Sequence, residues 1–321
     1  MLNSMRALAI ALTMAGTAVS AWAQPYPNRP IKLVVPYATG GGVDIVARSV
    51  AEGLRKLLPQ PIVVENRPGA GGNVAFAFVA KSDPDGDTIL MGANAIVVNR
   101  FLYTTLPYDP RELTPLALVG TVPMVLLATQ SFPATNAREA VALMKAKPGA
   151  FNFGSGGRGT AEHLAYELLK SRTGVDAVHV PYKGGAAVLT DLIAGQVQLM
   201  FTNQLAAMPY LKSGQLKGLG LTGAERSPQL PQLPTMIEQD VPDFVMTVWW
   251  GVLGPTGIPR PVMAQINQAV NAALATPELK ARLESLGAQP RPGTPESFAD
   301  FLAKESAIWS AVIQAAKITA E

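Results

Sequence analysis

Short apolar runs alternate with helix-length amphipathic patterns along most of the chain, and the alternation starts over after residue 120. Ile31-Lys32-Leu33-Val34-Val35-Pro36 reads as a buried strand, and 43–58 as a helix with Ile45, Val46, Val50 and Leu54 on one side. A strand at 61–65, a helix at 73–81 and a strand at 88–92 follow. That order is the grammar of a parallel α/β sheet. It returns as strands at 122–128, 151–154, 177–181, 197–202 and 216–221, with helices at 137–147, 160–171, 186–194 and near Met208. An apolar segment at 244–253 leads into helices at 261–275, 277–286 and 295–316. Thr294 before Pro295 is an N-cap with proline in the first helical position.

The chain therefore reads as two α/β domains joined by two crossover strands, near 116–128 and 244–254. Residues 24–122 with 248–321 form the first domain and 123–247 the second, the C-terminal helices packing back on the first. Two lobes joined in this way enclose a cleft, where small molecules bind.

Composition narrows the chemistry. Cysteine is absent, which removes disulfides, thiolate metal sites and cysteine nucleophiles. His163 and His179 are the only histidines, so a His-rich metal site is excluded and no cofactor is expected. The formal charge is +3 with no basic run, which argues against nucleic acid. At the start, Arg6, an apolar run over 7–21 and Ala21-Trp22-Ala23 read as a signal peptide, 1–23, cleaved after Ala23. The run is too short to span a bilayer comfortably, which takes about 20 residues. An exported soluble protein is expected.

Three strand-to-helix junctions share a glycine-rich design. They are Tyr37-Ala38-Thr39-Gly40-Gly41-Gly42, Gly154-Ser155-Gly156-Gly157-Arg158-Gly159-Thr160 and Pro181-Tyr182-Lys183-Gly184-Gly185. Glycine lets backbone N–H groups approach a ligand, and a helix start adds unpaired donors and partial positive charge. Such ends favour carboxylate, phosphate or sulfate. One loop is ordinary turn chemistry, but three divided between two lobes make a clamp for a small anion.

The second loop also matches G-x-G-x-x-G, yet the next strand ends in Pro181-Tyr182-Lys183 without the acid a dinucleotide site requires. Ser155 in its turn raises a hydrolase, but Phe153 stands where a nucleophile elbow needs glycine. His163 reads as a packing or surface hydrogen-bonding residue and His179 as a satisfied core histidine. Asp44 is expected to bind loop or helix-start amides rather than ligand, since a carboxylate in the cleft would repel an anion. Glu65 is expected to pair with Arg67 or support its loop. Asp191 either binds a ligand amine or secures a neighbouring loop. Trp249-Trp250 reads as core and hinge rather than cleft wall.

Longer motifs run between these loops. Tyr26-Pro27-Asn28-Arg29-Pro30-Ile31 opens the mature chain. Val64-Glu65-Asn66-Arg67-Pro68-Gly69-Ala70-Gly71-Gly72-Asn73 and Pro84-Asp85-Gly86 follow. Leu106-Pro107-Tyr108, Lys147-Pro148-Gly149, His179-Val180-Pro181-Tyr182-Lys183-Gly184 and Leu233-Pro234-Thr235 complete the set. In this order they resemble the Bug family of periplasmic solute receptors, the extracytoplasmic subunits of tripartite tricarboxylate transporters. The resemblance covers essentially the whole mature chain.

It implies a periplasmic, monomeric, non-enzymatic receptor with the two-lobed type II periplasmic-binding-protein (Venus flytrap) fold. Its implied partners are a small carboxylate ligand and the membrane subunits of the transporter. The resemblance also implies that loop amides and hydroxyls of both lobes hold the carboxylate, with ordered waters bridging to the first lobe. Carried onto this chain, the site is Tyr37, Ala38, Thr39, Gly40, Gly41 and Gly42 in lobe one. In lobe two it is Ser155, Gly156, Gly157, Gly159, Thr160, Lys183, Gly184, Gly185, Ala186 and Ala187, with Asp191 open. The family usually has proline at Thr39 and Ala187 and tyrosine at Asp87, so ligand identity does not transfer. A monocarboxylate, dicarboxylate, acidic amino acid or aromatic acid would suit equally. A signalling receptor and a Ser155-dependent hydrolase are the alternatives.

Overall fold

A computed structural model describes residues 26–182 and 184–319. The expected signal peptide and Lys183 lie outside the described residues. The first half alternates as expected: β1 (Ile31–Val35), α1 (Gly42–Arg55), β2 (Ile62–Asn66), α2 (Asn73–Ala80) and β3 (Thr88–Ala93). A helix that the sequence reading does not contain follows, α3 (Ala95–Leu102). Then come β4 (Leu113–Thr129), α4 (Ala137–Ala146), β5 (Asn152–Ser155), α5 (Ala161–Thr173) and β6 (Val178–Pro181). The second lobe ends with α6 (Gly185–Ile193), β7 (Leu199–Asn203), α7 (Gln204–Lys212) and β8 (Leu216–Leu221). The tail comprises β9 (Thr247–Pro255), α8 (Arg260–Ala275), α9 (Pro277–Ser285), β10 (Gln289–Pro290) and α10 (Pro295–Ala316).

All strands join one sheet, ordered β2-β1-β3-β9-β4-β7-β5-β6, with β8 and β10 also pairing β4. β1 runs parallel to β2 and β3, and β5 parallel to β6 and β7. Two antiparallel strands connect these parallel units. β4 is 17 residues long. Its first part pairs with β9 and its last part, from Met124, with β7. The chain thus enters the second lobe along β4 and returns along β9, as the two apolar segments predicted.

Burial follows the strand and helix periods. One face of the first lobe is covered by α1, α8 and α9, where Val46, Val50, Leu54, Val270 and Leu283 meet Leu33 and Val252. One face of the second lobe packs Val188, Leu192 and Leu221 on Val125 and Leu127. A third cluster is continuous through both lobes, from Phe76 and Leu102 through Met124 to Phe153 and Leu164. It includes Trp249, Phe298 and Trp309. α10 accounts for that continuity: it packs on α3 and β4 and also on α5 of the second lobe. α8 and α9 pack back on the first unit as expected, whereas the last helix bridges the two.

Candidate functional site

The first loop is built from below. Asp44, 1% exposed, accepts from Gly40 N at 2.8 Å, Arg48 Nε at 3.0 Å and Asn66 Nδ2 at 2.9 Å. Asn66 Nδ2 also donates to the Tyr37 carbonyl, and Arg48 donates to Asn66 Oδ1. Burial pushes the Asp44 carboxyl up, but the bonds from Arg48, Gly40 and Asn66 outweigh it and hold the group below its ordinary value. Asp44 is therefore a support for the loop, as the sequence argument required. Glu65 pairs with Arg67 and Lys32 beside this network. Ala38, Thr39, Gly40, Gly41 and Gly42 form an exposed rim. The start of α1 has no side-chain cap, so its first-turn amides remain open.

In the second lobe, loops two and three are one platform. Gly184 N donates to Gly156 O at 3.1 Å, and Tyr182 N donates to Ser155 O at 2.9 Å. Ser155 is fully buried. Its hydroxyl lies 2.7 Å from His179 Nε2 and 3.2 Å from the Gly157 carbonyl. The His179 ring stacks on His163 with centroids 4.1 Å apart. His163 Nδ1 in turn accepts Gly159 N at 3.0 Å. Both histidines thus brace the loop, and Ser155, although expected at the ligand, faces inward. Thr160 caps α5 at His163 N and donates to Gly157 O at 2.8 Å.

Asp191 accepts from the Tyr182 hydroxyl at 2.7 Å, which favours loop support between its two readings. Burial and this carboxylate push the Tyr182 phenol up to about 12. Gly184 and Gly185 are partly exposed, and Ala186 and Ala187 are exposed on the rim at the uncapped start of α6. Trp249 and Trp250 are buried in β9, in line with a core and hinge role.

A cavity of about 340 Å³ lies between the lobes. Tyr37, Val43, Ala93, Asn94, Ala95 and Asn99 line it from the first lobe, and Gly159, Thr160 and Ala161 from the second. Val98, Leu164, Met246, Val248 and Trp309 complete its wall. It brings together Tyr37, Gly159 and Thr160 of the expected residues. The rim residues 38–42 and 184–187, and Ser155, Gly156 and Gly157, are not in its lining.

Three helix starts open on the cavity: α1 at Val43, α3 at Asn94 and Ala95, and α5 at Thr160 and Ala161. The α3 start also lacks a side-chain cap. Sequence reasoning missed α3, the crossover residues Met246 and Val248, and Trp309. Burial, with Tyr103 nearby, pushes the Tyr37 phenol up to about 12, so it stays a donor at neutral pH. Opposite, the α-carbon of Gly159 approaches Leu102 so closely that a Cβ would lie 3.1 Å from its Cδ1. The lobes touch there.

This cavity has the chemistry of an anion site: converging helix-start amides, a phenol donor and no carboxylate in the lining. Among the described residues no cluster of His, Asp and Glu is placed to hold a metal ion. The Ser155–His179 contact resembles part of a hydrolytic pair, but its hydroxyl is closed off from any substrate.

The family description "Tripartite tricarboxylate transporter family receptor" matches residues 46–318. The chain belongs to this family. It is 34% identical over 319 residues to Protein BugT of Bordetella pertussis, covering 98% of both chains. A protein of R. palustris solved with adipate is 36% identical with a TM-score of 0.77, over 92% of this chain and 99% of that one. MatC of Rhodopseudomonas palustris, solved with bound malate, is 34% identical with a TM-score of 0.71, over 90% and 100%. The likeness spans nearly the whole chain, which makes the two-lobed periplasmic-binding fold that of this receptor family. Members of this family are solute-binding receptors, not enzymes.

Proposed function

We propose that the protein captures a small carboxylate between its lobes and hands it to the membrane subunits of a tripartite tricarboxylate transporter. The observation that carries this reading is the cavity on which helix starts from both lobes converge. Relatives solved with adipate and with malate support the acid. In this reading Tyr37, Thr160 and the first-turn amides of α1, α3 and α5 meet the carboxylate. Rim residues 38–42 and 184–187 close over it, and Ser155, Gly156, Gly157 and Asp191 hold the platform. The ligand shifts the open–closed equilibrium by its differential affinity for the closed form. Export to the periplasm, with cleavage after Ala23, completes the proposal.

The test is thermal unfolding of the mature protein against a panel of small carboxylates, with calorimetry on the hits. A ligand that binds only the native state adds about 2.7 kcal/mol at a hundredfold excess over Kd. The expected result is a saturable shift from one class of acid, recovered intact. No shift from any carboxylate would reject the reading.

A further inference from the structure

A turn of one lobe on the other has a narrow pivot. Thr222 of the second lobe, fully buried, accepts Met124 N at 2.8 Å and donates to Met246 O at 2.5 Å. Asn94 of the first lobe holds the next residue, donating to Thr247 O at 3.0 Å. β4 carries a strand on each edge beside this pivot. Gly120 and Thr121 face Trp250 and Trp249 of β9 on one edge, and Pro290 and Gln289 of β10 on the other. The acid cavity lies on the β9 side, where Met246 and Val248 line it. On the β10 side a second cavity, of about 430 Å³, separates the lobes, with Ser227, Pro228 and Gln229 facing Glu284, Gln289 and Pro290. A polar chain spans it. Gln204 Nε2 donates to Gln229 Oε1 at 2.9 Å, and Gln229 Nε2 donates to the Glu284 carbonyl at the end of α9. Gln204 is fully buried, which anchors the second-lobe end of the chain.

From this placement, and resting on the reading of the other inter-lobe cavity as the acid site, we propose that Gln229 is a positioning residue. Its bond to Glu284 latches the lobes in the arrangement that brings the helix starts together. A hydrogen bond of this kind is lost beyond about 3.2–3.5 Å, so the latch holds over a narrow range of lobe angles. The faces around it are parted by the second cavity, so side-chain packing there does little to fix the angle. A ligand's apparent Kd is its intrinsic Kd divided by the fraction of receptor in the binding arrangement. The latch therefore sets the affinity for every acid alike and touches none of them.

The test is Gln229→Glu, which keeps the side chain's size and its acceptor for Gln204 but puts an acceptor where the Glu284 carbonyl needs a donor. Gln229→Ala, which removes both bonds, is the second variant. The chain has no cysteine. Glu52→Cys on α1 and Lys145→Cys on α4, both exposed, therefore take one nitroxide on each lobe of the ligand-free mature protein. Spin–spin distance measurement is expected to show both variants shifted from the wild-type distribution or broader than it. Calorimetry uses adipate, malate and the tightest-binding acid of the panel. Each is expected to bind the variants about three- to tenfold more weakly than wild type, by one common factor, the range that one net hydrogen bond supplies. Unchanged distances in either variant, or binding that is unchanged or tighter, would overturn the latch and leave the acid receptor standing. Factors that differ between acids would also overturn it, since they would place Gln229 at the ligand. Binding of no acid by wild type would reject the acid site, and the distances alone would then decide whether Gln229 fixes the lobes.

Discussion

Gly156 sits where the two second-lobe loops meet. A Cβ there would lie 3.1 Å from Gly185 N and 3.3 Å from the Gly184 carbonyl carbon. Gly156→Ala is expected to force the loops apart at a cost of about 1–3 kcal/mol, seen as a lower urea midpoint together with weaker acid binding. Ser155→Ala removes the hydroxyl from His179 and Gly157 and should cost about 1–3 kcal/mol of stability, again by urea unfolding. Burial and the stacked His163 hold the His179 imidazole down at about 4, against an ordinary 6.5. The unfolded chain then takes up its proton first, so stability present above pH 6.5 falls as the pH drops toward 4. Melting curves across that window should show the decline, and His179→Gln should flatten it. The glycine pattern made these loops legible in the sequence. It did not tell which amides the loops occupy themselves: those of Gly40, Gly157, Gly159 and Gly184 all bond internally.

α3 shows where sequence periodicity stopped. Ala95-Ile96-Val97-Val98 continues an apolar run from β3, so nothing local marks a new helix. Its N-cap residue, Asn94, does not cap it but bonds β9, more than 150 positions away. Asn94→Ala should therefore loosen the crossover strand and cost about 1–3 kcal/mol, read by denaturant unfolding. β4 was half legible, because Pro115, Gly120 and Pro123 look like breaks. In the fold the ladder shifts register beside Pro115 and Gly120, and a Cβ at Gly120 would meet Gln289 O at 2.9 Å. Both bounds of α10 were legible from Thr294-Pro295 and its period, but not its bridging position. Within α10, burial raises the Glu305 carboxyl, and the bond from Trp309 only partly offsets this. Stability from the protonated form is present at acid pH and lost as the pH rises through the raised value. Glu305→Gln should thus raise the melting temperature at pH 7 and lose that advantage as the pH falls toward 4.5.

At the scale of the molecule, two parallel units share one sheet, and the alternation of strands and helices was enough to find both and the two crossings. Where they touch was not legible, because it depends on contacts far apart in sequence. Leu102 meets Gly159 beside the cavity, and on another side Gln229 accepts from Gln204 at 2.9 Å and donates to the Glu284 carbonyl. The bridging helix α10 places Trp309 in the cavity wall while packing on both α3 and α5. A ligand held there is positioned to couple the two lobes. The most direct test is a crystal structure of the mature protein with the tightest-binding acid of the panel. The account predicts that acid enclosed between the lobes, its carboxylate within about 3 Å of first-turn amides of α1, α3 or α5. An acid bound outside this cavity, with the cavity holding only water, would contradict it.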